Sequence, residues 1–315
     1  MKHVFRHIDP LSFTAKAKGP HLLIIAGVHG DEYEPILAVR QLLDTFLGAN
    51  GLISGKLTLL PIVNREAYTN GCRVATDGKD LARTCPGSQK GSITSQVAYE
   101  ISELIKTADF LIDMHTGGKL FDILPLAGYL LNKNKEVLKV QRALAEVFGL
   151  PIIWGTTPNL NGRTLSIARD NDVPAIYTEF GGGGSCRAKI INSLVEGCMR
   201  VMNYLKLIDS PLGTHKEEGS PYILEDHREN SGHLQSMYPS PIDGVFISIK
   251  DLWEKVRKDE IIGRVIDPLT NDTKEIYAYE DGLLFLLRKS ALVKKGETTM
   301  GIMPISTTKR KSIYT

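Results

Sequence analysis

The amino-acid sequence predicts an α/β protein with a mostly parallel, mixed sheet flanked by helices, followed by a small all-β domain. Two observations carry this prediction. Short apolar runs alternate with amphipathic segments over the first two thirds of the chain, and this alternation stops near residue 208. Strands that are apolar on both faces and separated by helices are typical of a parallel sheet that is covered on both sides.

The alternation defines each element in order. Apolar runs predict strands at His21–Val28, Lys56–Val63, Asp109–His115, Pro151–Trp154 and Ala175–Phe180. Apolar residues at helical spacing predict helices at Tyr33–Phe46, Ser92–Thr107, Lys135–Phe148 and Arg187–Leu207. Because strand and helix follow each other along the chain, helices are expected on both faces of the sheet.

The composition changes after the last of these helices. Residues 209–220 combine Ser, Pro, Gly, Thr and charged residues, as linkers do. Short strand-like runs follow at Tyr222–Leu224, His233–Tyr238, Gly244–Ile249, Glu260–Ile266, Glu275–Tyr279 and Leu283–Arg288. We therefore predict a first domain over residues 1–208, a linker over 209–220 and a β-rich domain over 221–315.

The bulk properties exclude several classes of partner. A formal net charge of +2 over 315 residues gives no reason to expect binding to nucleic acid or to an anionic membrane. The N-terminus lacks the apolar core of a signal peptide, and no apolar run reaches the roughly 20 residues that span a bilayer. We expect a cytoplasmic protein whose four widely spaced cysteines are free thiols.

Ionisable residues follow three of the predicted strands. His29 and Glu32 come after the first, His115 ends another, and Glu179 lies near the end of a third, two residues before the first of four consecutive glycines. In open parallel sheets, ligands bind at the carboxyl ends of the strands. Two histidines and a carboxylate are a typical catalytic zinc set that leaves one coordination position open. We therefore predict one zinc ion held by His29, Glu32 and His115.

Two further carboxylates receive candidate roles. Zinc lowers the pKa of a bound water to about 7, and a nearby carboxylate must then accept its proton. Glu179 is the candidate for this general base. Asp113 lies two residues before His115 and so faces the same side of the strand. It either orients His115 or serves as a helix cap or surface residue, and the sequence leaves these alternatives open.

Three segments resemble one known family. They are GVHGDEYEP at residues 27–35, DMHTGG at 113–118 and TEFGGGG at 178–184. They resemble the succinylglutamate desuccinylase and aspartoacylase family, which is related to the carboxypeptidase-A-like zinc hydrolases, and the resemblance runs over about the whole chain. It implies a carboxypeptidase-like fold, His29, Glu32 and His115 as zinc ligands, and Glu179 as the catalytic glutamate.

The same resemblance implies roles for two arginines. Arg73 would stabilise the oxyanion together with zinc. The segment Asp80–Arg83 (DLAR) matches the family's DLNR-type motif, in which Arg83 would bind the substrate carboxylate. Ala82 stands where the family usually has Asn, which removes one expected hydrogen bond and leaves the identity of the substrate open. Arg163, in the segment before the Glu179 strand, is a further candidate for substrate binding.

The C-terminal part also carries a partial resemblance. Pro241–Phe246 and Gly263–Pro268 look like the β-domain appended to some family members, which is similar to a biotinyl or lipoyl barrel. A carrier domain presents a lysine on a tight hairpin, usually between methionines, and no such hairpin is evident here. We expect a structural domain that shapes the mouth of the active site, with Tyr277 and Tyr279 in packing roles.

Together these features predict a zinc-dependent deacylase. Metal-activated water would attack the amide of a small N-acyl amino acid or related amide, with Glu179 as the base that then protonates the departing amine. Two alternatives remain open at this point. One is a metallocarboxypeptidase or cell-wall peptide amidase with the same site, and the other is a zinc- or ligand-binding protein without turnover. The sequence leaves the oligomeric state open, and a homo-oligomer is compatible with it.

Overall fold

The computed structural model of the protein describes residues 5–48, 51–209 and 221–304. The strands are β1 (Leu11–Thr14), β2 (His21–Ala26), β3 (Lys56–Leu60), β4 (Phe110–His115), β5 (Phe121–Leu130), β6 (Ile152–Thr156), β7 (Ala175–Gly182), β8 (Tyr222–Glu225), β9 (Gly244–Ser248), β10 (Lys255–Val256), β11 (Ile261–Ile266), β12 (Thr273–Tyr277), β13 (Gly282–Arg288), β14 (Leu292–Val293) and β15 (Met300–Pro304). The helices are α1 (Tyr33–Gly48), α2 (Arg65–Thr69), α3 (Ile93–Ile105), α4 (Lys135–Phe148), α5 (Thr164–Asp170) and α6 (Ala188–Tyr204). Short 3₁₀ turns lie at Leu81–Arg83 and Leu234–Ser236.

The larger sheet is mixed. Its strands follow the order β1-β3-β2-β4-β7-β5-β13-β10, and β6, β8 and β15 are added alongside β5, β6 and β13 respectively. Strands β3, β2, β4 and β7 are parallel to one another, whereas β5 runs antiparallel to β7. The predicted fold class, a mixed α/β sheet flanked by helices, is therefore confirmed.

Strand β2 shows why the sheet is covered on both faces. Every residue of β2 is buried, and successive side chains point to opposite faces of the sheet. Leu22 and Ile24 pack in a core cluster with α1, α4 and α6. Leu23 and Ile25 pack in a second cluster with α3 and α5. The continuous apolar run thus follows from burial on both sides, as the sequence predicts.

Helix α4 illustrates how sequence sets the ends of an element. The Asn134 side chain accepts hydrogen bonds from the backbone N–H groups of Glu136 and Val137 and so caps the first turn. The helix ends at Gly149, which adopts a left-handed conformation at φ 86° that favours glycine. These signals place the helix at the predicted residues. Among the described helices, none has the length and apolar character needed to cross a membrane.

A second sheet lies in the C-terminal part of the chain, as expected. It has four strands in the order β12-β11-β9-β14, and all its pairs are antiparallel. Other C-terminal strands join the larger sheet, because β8 pairs with β6 and β13 pairs with β5. The division into domains at 1–208 and 221–315 stays a prediction, and residues 210–220 of the predicted linker lie outside the described residues.

Some elements differ from the sequence prediction. The sequence does not predict strand β5, because Asp122, Pro125 and Gly128 interrupt the apolar pattern there. The register of β5 against β7 shifts between Ile123 and Leu126, where Pro125 has no N–H to donate. The predicted strand at His233–Tyr238 is wrong, since this segment forms a 3₁₀ turn. The four cysteines, all within the described residues, are free.

Candidate metal centre and active site

His29 and Glu32 lie in the tight turn between β2 and α1. The turn passes directly over another segment of backbone. A side chain at Gly30 would place its Cβ about 2.0 Å from the carbonyl carbon of Ala67, so only glycine fits there. Helix α1 begins one residue after Glu32. This turn therefore fixes both side chains at the carboxyl end of β2.

His115 and Glu179 reach the same edge from neighbouring strands. His115 is the last residue of β4, which lies between β2 and β7. Glu179 lies on β7 directly opposite His115 in the parallel register. The carboxyl ends of β2, β4 and β7 thus bring together residues that are far apart in sequence.

His29, Glu32 and His115 meet at one point. Their candidate ligand atoms all lie within 4.8 Å of one another. Nδ1 of His29 lies 2.7 Å from Oε1 of Glu32, and Nδ1 of His115 lies 3.0 Å from Oε2. The three residues are 4%, 1% and 9% exposed respectively. Two imidazoles and one carboxylate converging in this way fit the donor set of a catalytic zinc site.

The two imidazoles change the pKa of the Glu32 carboxyl. Burial by itself would raise its pKa, but the adjacent imidazoles of His29 and His115 lower the pKa well below its usual range. Glu32 is therefore ionised at neutral pH, which is the state a metal ligand requires.

The outer nitrogen of each imidazole also faces a carboxylate. Nε2 of His29 lies 3.2 Å from Oδ1 of Asp80, and Nε2 of His115 lies 3.1 Å from Oδ1 of Asp113. The hydroxyl of Thr164 donates a hydrogen bond to the other oxygen of Asp113. Carboxylates in this position orient metal-binding imidazoles and raise their basicity.

Glu179 has a different environment from Glu32. The residue is partly buried, and its Oε2 atom is buried without a hydrogen-bond partner among the described residues. Burial raises the pKa of its carboxyl to about 8. A carboxyl group with a pKa near neutrality can both accept and return a proton.

Three arginines line the same cavity. Arg73 donates a hydrogen bond of 3.1 Å to Asp80 and lies 3.8 Å from Glu32. Arg163 donates to the carbonyl of Gly232 at 3.2 Å, and its buried Nε has no hydrogen-bond partner among the described residues. Burial and the nearby charge of Arg83 lower the pKa of Arg163 to about 10. The neighbouring guanidinium groups of Arg83 and Arg163 favour binding of an anion in this part of the cavity.

The sequence model of the succinylglutamate desuccinylase/aspartoacylase catalytic domain matches residues 18–205. The chain belongs to the succinylglutamate desuccinylase/aspartoacylase family. The resemblance found in the sequence is thereby confirmed. Membership of this family supports the assignment of the chain as an amidohydrolase.

The similarity of this family member to individual relatives covers most of its length. It is 29% identical to the N-alpha-acetyl-L-2,4-diaminobutyric acid deacetylase of Halomonas elongata, over 92% of this chain and 83% of the relative. The product-bound ectoine utilization protein EutE (DoeB) of Ruegeria pomeroyi is 25% identical, with a TM-score of 0.82, covering 91% of this chain and 86% of that one. A succinylglutamate desuccinylase/aspartoacylase of Rhodobacter sphaeroides, 23% identical over 95% and 90% of the two chains, has a TM-score of 0.84 and shows the same fold.

In this family member, one cavity collects all the site residues that the sequence suggests. They are His29, Glu32, Arg73, Arg83, Asp113, His115, Arg163 and Glu179. Tyr277 and Tyr279 are not among the described residues that line it, and Tyr279 stacks on Tyr238 at a ring-centroid distance of 4.5 Å. The cavity also contains residues without a sequence signal, including Leu234 and Leu286.

One contact of the site was missed although its residue stood in a recognised motif. Asp80 begins the DLAR segment, and its side chain caps the 3₁₀ turn at Leu81–Arg83 by accepting a hydrogen bond from the N–H of Ala82. The same carboxylate faces both His29 and Arg73. Its position at the head of the motif was the available signal, but its partners depend on the fold.

Proposed function

We propose that this chain is a zinc-dependent deacylase that hydrolyses the amide bond of small N-acyl amino acids. The convergence of His29, Glu32 and His115 within 4.8 Å carries the proposal. The cavity that contains these three side chains also holds a carboxyl group of raised pKa and a pair of guanidinium groups. The substrates named for the Halomonas relative belong to the same chemical class.

The metal ligands in this proposal are His29, Glu32 and His115, holding one zinc ion. When bound, zinc would act as a Lewis acid and lower the pKa of a water to about 7. Asp80 and Asp113 fix the tautomer and the orientation of the two imidazoles through their outer nitrogens. The ligand set thus enters the reaction already oriented.

The three arginines have two different roles in substrate binding. Arg83 and Arg163 bind the carboxylate of the amino-acid half, since the Nε of Arg163 is buried and has no described hydrogen-bond partner. Arg73 lies beside Glu32 and so stabilises negative charge that develops on the scissile carbonyl oxygen. These contacts fix the amide bond next to Glu179.

Glu179 transfers the proton. Its carboxylate accepts a proton from the attacking water, and the resulting acid returns that proton to the nitrogen as the C–N bond breaks. The products are a carboxylic acid and a free amine. Burial suits Glu179 to both steps, because a carboxyl with a pKa of about 8 holds a proton more readily than an exposed one.

The experiment that tests this proposal uses the purified full chain loaded with zinc. Release of acetate or succinate from a panel of N-acyl amino acids, together with about one zinc per chain by elemental analysis, is the expected result. Release of a C-terminal residue from peptides would indicate a peptidase instead. Bound zinc without turnover on either panel would indicate a binding protein.

Two further properties stay predictions. The cytoplasmic location and the oligomeric state rest on the sequence alone. Cell fractionation and light scattering of the purified chain measure them directly.

A further inference from the structure

One wall of the candidate active-site cavity is apolar. Its side chains come from β5, β13 and the 3₁₀ turn that follows β8. They are Phe121, Ile123, Leu234 and Leu286, which we call the apolar wall. The other lining residues include charged groups as well as Leu130 and Leu165, and the apolar wall is a surface on which an uncharged substrate side chain can pack.

The strand register places Ile123 and Leu286 of the apolar wall on the far side of Glu179 from the candidate metal ligands. Glu179 on β7 pairs with His115 on one side and with Leu126 of β5 on the other. Ile123, also on β5, pairs in turn with Leu286 of β13. A substrate whose carbonyl lies at the metal ligands and whose nitrogen lies at Glu179 therefore extends toward the apolar wall.

The wall also lies next to the arginines proposed to bind the substrate carboxylate. Leu234 is two residues from Gly232, whose carbonyl accepts a hydrogen bond from Arg163. Between them, His233 lies close enough to Arg163 and Arg83 that, in addition to burial, their charges lower its pKa. The carboxylate belongs to the amino-acid half of the substrate, so the apolar wall faces the side chain of that half.

No carboxylate remains to pair with a cationic side chain at this wall. Among the described residues that line the cavity, the carboxylates are Glu32, Asp113 and Glu179. Glu32 lies between two imidazoles, and Asp113 contacts His115 and Thr164. Glu179 is required for proton transfer. An ammonium group would be buried without a counter-charge there, which is strongly unfavourable.

We infer that the enzyme prefers N-acyl amino acids with an apolar side chain, such as leucine or methionine, over those with a cationic side chain, and that Leu234 determines this preference. The inference rests on the proposed function and names its substrate class. Leu234 is the informative position, because it is partly buried in a short turn rather than in the centre of a strand.

The direct test compares kcat/KM of the zinc-loaded enzyme for two substrates with the same acyl group. N-acetyl-L-leucine should exceed N-acetyl-L-2,4-diaminobutyrate by about 100-fold, because the ammonium group loses its hydration without gaining a counter-charge. An equal or higher value for N-acetyl-L-2,4-diaminobutyrate overturns the inference while the deacylase function stands. Hydrolysis of none of the N-acyl amino acids rejects the deacylase function itself, and the inference with it.

A variant places a counter-charge at the wall. Leu234→Glu should raise the ratio of kcat/KM for N-acetyl-L-2,4-diaminobutyrate over N-acetyl-L-leucine by about 10-fold or more. Leu252→Glu is the matched control, because Leu252 is a partly buried leucine against the same core cluster but is not among the described residues that line the cavity. An unchanged ratio in Leu234→Glu, or an equal change in both variants, shows that Leu234 does not set the preference.

Binding provides a readout that does not depend on turnover. Titration calorimetry with the zinc-loaded Glu179→Gln protein should show tighter binding of N-acetyl-L-leucine than of N-acetyl-L-2,4-diaminobutyrate. The reverse order contradicts the inference even if the Leu234 variant fails to fold.

Discussion

The side of the cavity that carries the candidate metal ligands, which we call the ligand side, and the apolar wall are built in different ways. The ligand side comes from the ends of parallel strands, and the outer nitrogen of each of its imidazoles faces a carboxylate, Asp80 for His29 and Asp113 for His115. The apolar wall comes from antiparallel strands and a short turn, and its side chains make no such polar contacts with the ligands. Under the proposed function, chemistry and substrate choice are therefore controlled by separate residues of one cavity.

The largest effect is expected on the side of the chemistry. Glu179→Gln removes the group that transfers the proton and should lower kcat by about 10²- to 10⁴-fold. Zinc content should stay at the wild-type level, because Glu179 is not one of the three converging ligands. Steady-state kinetics and elemental analysis measure the two quantities. The control is Glu275→Gln, since Glu275 is exposed on β12. A normal kcat in Glu179→Gln would mean that another residue is the base.

Loss of a substrate-binding charge should come next in size. Arg163→Met removes a guanidinium from the proposed carboxylate site, so kcat/KM for N-acyl amino acids should fall by about 100-fold. An N-acyl amine without a carboxylate should be hydrolysed as well by the variant as by the wild type. Arg169→Met is the matched control, since Arg169 lies on α5 but pairs with Asp170 and Asn161. An equal loss on both kinds of substrate would assign Arg163 a structural role.

Orientation of the ligands should matter less than the ligands themselves. Asp113→Asn keeps the shape of the side chain but removes the charge facing His115, so zinc affinity should fall by at least about 10-fold. Competition with a fluorescent chelator measures this affinity. Asp170→Asn, at the exposed end of α5, should bind zinc as the wild type does. Unchanged affinity in the Asp113 variant would leave it with only a packing role.

The same two sides of the cavity differ in how far the sequence predicts them. Strands β2, β4 and β7 are apolar and bounded by clear turns, so their ends could be located and His29, His115 and Glu179 could be placed at one edge. The spacing of His29 and Glu32 then indicated a shared metal. Strand-end residues of parallel strands converge by geometry alone, which is why this side was predictable.

The apolar wall could not be predicted in this way. Strand β5 contains Asp122 and Pro125, which interrupt its hydrophobic pattern, so the sequence does not predict a strand there. Leu286 reaches the cavity only because β13 pairs with β5, a contact between segments far apart in sequence. Leu234 lies in a segment that the pattern predicts to be a strand. The sequence predicts the strand at Leu283–Arg288, but nothing local shows that it pairs with β5.

The smallest expected effect lies at Ala82, which lines the cavity next to Arg83, where the family usually has Asn. Ala82→Asn adds one amide that can hydrogen-bond to a polar substrate. It should raise the ratio of kcat/KM for N-acetyl-L-aspartate over N-acetyl-L-leucine by about two- to tenfold, the contribution of a single hydrogen bond. Ala82→Leu, which branches at the same carbon as Asn but is bulkier and has no amide, separates hydrogen bonding from crowding. If both variants shift the ratio equally, volume is the cause; if neither does, position 82 does not contact the substrate side chain, and the choice of substrate depends on the apolar wall alone.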